Sequence, residues 1–155
     1  ELASVEVSST TSSFDSGTFA AKKYLMFTLT KEKTGGYVNP KLHFNDDGST
    51  YAFRYSDNGG SDSTSTSRDH IDLRAGELDG RSFTEGYIIN KSDKEKLIIA
   101  HSINANAEGA GNAPTRNEVV GKWDETSSQI TKLNFTESAS GSFASGTTLK
   151  VYGAD

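Results

Sequence analysis

GKWDETSSQITKLNFTESASGSFASGTTLKVYG, residues 121–153, holds the only tryptophan of the chain, Trp123, followed by two short apolar runs. In the first, 130–135, Thr131, Leu133 and Phe135 fall on one face and Ile130, Lys132 and Asn134 on the other, the period of a strand with one buried side. In the second, 149–152, Leu149 and Val151 alternate with Lys150 and Tyr152. The two read as successive strands, and the small residues of 138–146, with Gly141 and Gly146 as flexible points, read as the turn between them. Trp123 is the predicted core anchor, because a tryptophan buries on the order of 150 to 250 Å².

Working outward, the same alternation recurs. Residues 22–30, KKYLMFTLT, place Leu25, Phe27 and Leu29 on one face and Tyr24, Met26 and Thr28 on the other, so both sides are expected to be covered. Residues 41–45 and 50–55 flank Asn45-Asp46-Asp47-Gly48, a turn in which Asn, Asp and Gly tolerate positive φ, and together they read as a hairpin. Residues 2–7 suggest an opening strand, 69–73 a minimal one, 86–90 another, and 75–79 one turn of helix. Residues 96–103, KLIIAHSI, form the most apolar strand, and 115–123 lead into Trp123. The polar runs 56–67 and 105–114 read as surface loops. About nine or ten strands, no amphipathic helix and no internal repeat give one domain, residues 1–155, with an all-β, antiparallel, jelly-roll-like sandwich architecture.

Composition narrows the function classes. Sixteen basic against twenty-one acidic residues give a net charge of −5, and no basic run exceeds Lys22-Lys23. Nucleic acid is therefore not an expected partner, since phosphate backbones need clustered cations. No stretch approaches the ~20 apolar residues of a membrane span, so no membrane partner is expected either. No basic and apolar leader opens the chain, although it begins with Glu1. Cysteine is absent, which removes disulfides, thiolate metal sites and cysteine nucleophiles.

Candidate chemistry is sparse. His43, His70 and His101 show no metal-type spacing, and satisfied or solvent-facing histidines are the stronger reading. The carboxylates lie mostly in turns, without the rigid strand positions that glycoside hydrolysis needs. Asn45, Asp47 and Gly48 resemble a fragment of a calcium loop, but the first and distal acidic ligands are missing. Calcium stays the one cofactor considered, against a plain turn, and otherwise no cofactor is expected. No nucleophile elbow or phosphate loop occurs, so no catalytic residue is assigned and no enzyme activity is expected. Asn90-Lys91-Ser92 and Asn134-Phe135-Thr136 match the glycosylation sequon, a pattern that chance supplies often. Of the tyrosines Tyr24, Tyr37, Tyr51, Tyr55, Tyr87 and Tyr152, the three chosen as ligand or interface aromatics are Tyr37, Tyr55 and Tyr87. They could stack on sugars or cover sheet edges and subunit contacts.

The segments GKW at 121–123, QITKL at 129–133, Phe143 and GTTLKVYG at 146–153, with KYL at 23–25 and LHFNDDGSTYAFRY at 42–55, resemble jelly-roll virion structural proteins of tailed phages and related viruses. The resemblance spans nearly the whole chain through short, degenerate motifs. It implies a capsid, decoration or tail-associated subunit, made in the host cytoplasm and carried in the virion. Its expected partners are copies of itself, with trimers favoured, and other virion proteins. A carbohydrate- or receptor-binding sandwich with a glycan partner is the alternative. A filament subunit that donates residues 2–8 as a strand is the third reading.

Overall fold

The computed structural model describes residues 1–155 apart from 33–35, 37, 75–79, 106 and 138–140. The proposed helical turn at 75–79 and Tyr37 therefore lie outside the described residues. Among those described, the chain forms twelve strands and no helix. In chain order they are β1 (Ala3–Glu6), β2 (Ser13–Asp15), β3 (Tyr24–Lys31), β4 (Pro40–Phe44), β5 (Tyr51–Asp57) and β6 (Ser63–Arg68). There follow β7 (Ile71–Asp72), β8 (Arg81–Ile89), β9 (Lys96–Ala105), β10 (Thr115–Trp123), β11 (Leu133–Glu137) and β12 (Thr148–Ala154).

An eight-stranded sheet in the order β1-β12-β3-β8-β9-β10-β5-β6 stacks on a four-stranded sheet in the order β2-β11-β4-β7, and every named pairing is antiparallel. This is an all-β antiparallel sandwich. Alternation builds it as expected: Leu25, Phe27 and Leu29 of β3 and Leu149 and Val151 of β12 point into the interlayer space. The small sheet answers with Leu42 and Phe44 of β4, Ile71 of β7, and Leu133 and Phe135 of β11, all fully buried.

Two aromatic groups hold the layers together. Trp123 is buried as expected: its ring stacks on Tyr51 at 6.2 Å and tilts against Phe44 at 5.7 Å. Its indole Nε1 donates to Asp47 Oδ2 at 2.7 Å, so the buried donor is satisfied. The second group joins Phe14, Phe27, Phe135 and Phe143, with centroids 4.9 to 5.8 Å apart. Such contacts add about 0.5 to 1.5 kcal/mol per pair beyond area burial.

Several expectations are corrected. The segment 42–55 is not a hairpin: β4 belongs to the small sheet and β5 to the large one. The turn between them carries the chain from one layer to the other, with positive φ at Asn45, Asp46 and Thr50. Similarly, β11 and β12 are consecutive but lie in different sheets. The run 130–135 is strand only from Leu133, and Ile130 is buried before it: its N–H donates to Asn90 Oδ1 and its carbonyl accepts from Asn90 Nδ2. The connection 138–146 contains more than turn, since Phe143 is fully buried and bridges to Thr11. Part of the polar run 56–67 is strand: Ser63–Arg68 pairs with β5 as an exposed edge, because backbone pairing needs no apolar side chains. Residues 3–6 pair with β12 of their own chain, filling the place a donated strand would take.

Candidate functional site

The long strand β9, KLIIAHSINA, has the opposite polarity to the one its composition suggests. Its inward side chains are Lys96, Ile98, Ala100, Ser102 and Asn104, and its outward ones are Leu97, Ile99, His101, Ile103 and Ala105. The cause lies in the neighbouring strands. The inner surface must receive bulky side chains from the sandwich, so small residues stand there: Gly86 opposite Ala100, and Gly121 opposite Ile98. A Cβ on Gly86 would lie 2.2 Å from Phe27 Cε1, and one on Gly121 would lie 3.1 Å from Ile71 Cδ1. Once those glycines point inward, the alternation of β8, β9 and β10 sends Tyr87, Ile89, Leu97, Ile99 and Val120 outward.

The pairing register arranges the outer face in rows across the sheet. One row runs Tyr152, Met26, Tyr87, Ile99, Val120 and Arg54, from β12 to β5. The next runs Ala154, Tyr24, Ile89, Leu97, Lys122 and Ala52. On the other side of the first row stands a polar one, Thr28, Glu85, His101 and Glu118, followed by Thr30, Phe83, Ile103 and Arg116. Among the described residues, the exposed large apolar side chains are Tyr24, Phe83, Tyr87, Ile89, Leu97, Ile99, Ile103 and Val120, from 39% to 51% exposed, and all eight belong to this face. Between β3 and β6 the face forms an open groove of ≈ 840 Å³, floored by Ile99 and Val120.

Charge is confined to the margins and the polar row. Lys122 Nζ donates to Glu95 Oε1 at 2.9 Å, and Arg54 Nη1 to Asp62 Oδ2 at 3.2 Å. These half-exposed pairs add little stability, but they keep two cations beside the apolar rows. The inner face shows the reverse economy of polarity: each buried polar side chain of β9 makes at least one hydrogen bond, although Asn104 Oδ1 is left without a partner among the described residues. Lys96 Nζ donates to the carbonyls of Lys94 and Glu125 at 2.7 and 2.8 Å, and burial holds its ammonium pKa below the ordinary lysine value. Thr84 and Ser102 hydroxyls meet at 2.9 Å, and Asn104 Nδ2 donates to Asn117 Oδ1 at 2.9 Å.

The residues singled out from sequence are dispersed. Tyr87 lies in the outer face, but Tyr55 lies on the opposite side of the sheet, half-buried beneath the Arg74 guanidinium at 4.5 Å, so the two do not form one platform. His43 bonds Thr136 Oγ1 at 3.0 Å, and His70 is buried with Nδ1 2.5 Å from Asp69 Oδ1. Their rings approach to 6.0 Å, while His101 stands apart on the outer face. No group of three or more His, Asp or Glu among the described residues is arranged to hold a metal. In the calcium-like turn, Asn45 Oδ1 accepts from the N–H groups of Thr131 and Lys132, and Asp47 accepts from Ser49 and Trp123. Asn90 of the first sequon is fully buried and bonded to Lys22 and Ile130, so that amide is closed to modification in the folded chain. The outer residues Phe83, Ile89, Leu97, Ile99, Ile103 and Val120 were missed as a group. The signal for them is the pair of glycines, Gly86 and Gly121, which mark the side that must stay thin.

No protein-family model matches the chain, and no curated protein matches it. The solved structures it is similar to are distant. They include a double mutant of alginate lyase Aly36B in complex with alginate tetrasaccharide (8% identity, 92% of this chain, 75% of that one, TM-score 0.33). The CBM2 module of the evolved Dit of Lactobacillus casei BL23 phage J-1 is similar over 96% of this chain and 68% of that one, at 6% identity and TM-score 0.22. Porphyranase B of Zobellia galactanivorans matches over 97% and 75%, at 8% identity and TM-score 0.25. None of these likenesses is close enough to carry a functional assignment.

Proposed function

We propose that this chain is a non-catalytic assembly subunit, a β-sandwich of the kind that virion structural proteins use, whose outer large-sheet face is covered by protein in the working assembly. One observation carries the reading: eight large apolar side chains stand about half exposed on four neighbouring strands. At roughly 150 to 250 Å² for a whole aromatic side chain and somewhat less for an aliphatic one, they present on the order of 600 Å². That reaches the upper end of the roughly 300 to 600 Å² of the largest patch on an ordinary monomer. The test is cryo-electron microscopy of native assemblies that contain the chain. Protein density over Leu97, Ile99 and Val120 is the expected result, and a face open to solvent in the assembly would sink the proposal.

A second reading has its own observation. Tyr24 and Tyr87 are exposed diagonal neighbours on β3 and β8, spaced so that both rings can meet one extended ligand. Glycan-array binding that disappears in Tyr87→Ala would favour a carbohydrate-binding module instead.

A further inference from the structure

The apolar face has two unlike halves. On β12, β3 and β8 stand Tyr152, Met26, Tyr24, Tyr87 and Phe83, which are aromatic or long, with Ile89 the one branched aliphatic among them; on β9 and β10 stand Leu97, Ile99, Ile103 and Val120, which are aliphatic. The cation Lys122 stands beside Val120 on β10, at the margin of the aliphatic half, and Arg54 lies beyond it on β5. Such a surface is complementary to itself when turned over. We propose that the occupant of this face is a second copy of this chain, stacked sheet to sheet about a two-fold axis that runs parallel to the strands, between β8 and β9. The inference rests on the assembly reading above and names its partner.

The register dictates what meets what. Rotation about that axis preserves each row and exchanges β8 with β9, β3 with β10 and β12 with β5 of the second copy. Tyr87 then faces Ile99 of the second copy, Met26 faces Val120, and Ile89 faces Leu97. Phe83 faces Ile103, and the polar row is matched as well, with Glu85 over His101. At the margins Tyr152 faces Arg54 and Tyr24 faces Lys122, placing each cation over a tyrosine ring of the other copy. A two-fold at right angles to the strands would instead stack each strand on its own counterpart, aromatic on aromatic, and an axis along either apolar row would bring Arg54 or Lys122 onto its own copy, which like charge disfavours.

Shape and size agree with this arrangement. Sheets stacked face to face keep their mean strand directions within about 30° of each other at a spacing of about 10 Å, and a two-fold parallel to the strands holds them aligned. An apolar area on the order of 600 Å², with its polar row and tyrosine–cation margin, approaches the roughly 800 Å² per partner of a stable interface. The contact is isologous, so it closes at two copies, in place of the trimer that the sequence resemblance favoured.

Sedimentation velocity and light scattering on the whole chain, from micromolar to near-millimolar concentration, test the proposal. The wild type should be a dimer, and Ile99→Glu should weaken it by roughly tenfold or more, as expected for a contact beside the axis. Circular dichroism and a thermal melt confirm that the variant is folded. Met26→Glu and Val120→Lys provide the second arm: each alone should be monomeric, and mixing the two should restore a heterodimer, because the new carboxylate and ammonium face one another across the axis. A wild type that stays monomeric at every concentration overturns self-pairing while the assembly reading stands or falls by microscopy. A dimer indifferent to Ile99→Glu overturns both, since it takes this face out of assembly. A dimer that Ile99→Glu breaks but the mixture does not restore overturns the axis between β8 and β9.

Discussion

The two faces of β9 are unlike in a way that its composition alone does not suggest. The inner one carries Lys96, Ser102 and Asn104, buried and paired, while the outer one carries Leu97, Ile99 and Ile103, about half exposed. The difference shows that facing inward is decided by the bulky side chains that neighbouring strands and the opposite sheet place over the inner surface, and only then by side-chain polarity. Phe27 of β3 and Ile71 of β7 occupy the space above Gly86 and Gly121, which fixes those two glycines, and with them Ile98, Ala100 and Ser102 of β9, to the inner side. The Lys96 ammonium, the Ser102 hydroxyl and the Asn104 Nδ2 tolerate that position because each finds a partner, which offsets the cost of leaving water.

If the inner face carries stability and the outer face carries association, substitutions should separate the two. The largest effect is expected from Trp123→Ala. Removing the ring that stacks on Tyr51 and Phe44 should cost about 3 to 5 kcal/mol, measured by urea unfolding. Gly86→Ala comes next. Its new methyl would meet the Phe27 ring, and the overpacking should cost about 1 to 3 kcal/mol by the same measurement.

A smaller, pH-dependent effect is expected at His70. Burial first, with Lys41 nearby, holds its pKa below the ordinary histidine value, and the bond to Asp69 only partly opposes this. The unfolded chain therefore takes up the proton first as pH falls below about 6.5, and stability should decline from there toward the lower folded-state pKa. His70→Gln should flatten that slope in melts recorded from neutral to mildly acidic pH. An unchanged slope would remove His70 as its source. The smallest change in stability is expected on the outer face: Leu97→Ser should shift the unfolding free energy of the monomer by no more than about 0.5 kcal/mol while impairing association. A large loss of monomer stability there would mean that the outer face belongs to the core after all.

The contrast also explains what could be read in advance. The all-β class and the alternation of β3 and β12 were legible, because Leu25, Phe27, Leu29, Leu149 and Val151 recur at the period of a strand, but β3 was expected to be covered on both sides and Tyr24 stands exposed on its outer one. Trp123 was legible from size alone. The layer change at 45–50 was not, since a turn with positive φ serves a hairpin and a sheet crossing equally well. The strand Ser63–Arg68 was hidden because its pairing is purely main-chain and its side chains stay in water. The outer face was hidden for a different reason. A strand with apolar side chains on both sides gives no sign of which set is inside until the glycines across the ladder are known.

The sheet borders bear on how such a molecule can grow. In the large sheet the last strands are β1, four residues long, and β6, whose pairing with β5 carries a register shift between Tyr51 and Phe53 and a positive φ at Ser67. In the small sheet they are β2 and β7, of three and two residues. Short or kinked borders are poor templates for a further backbone, so end-on polymerisation into ribbons is disfavoured. Concentrating this protein should therefore yield discrete particles of fixed size, with no lag phase and no fibrils that bind amyloid dyes.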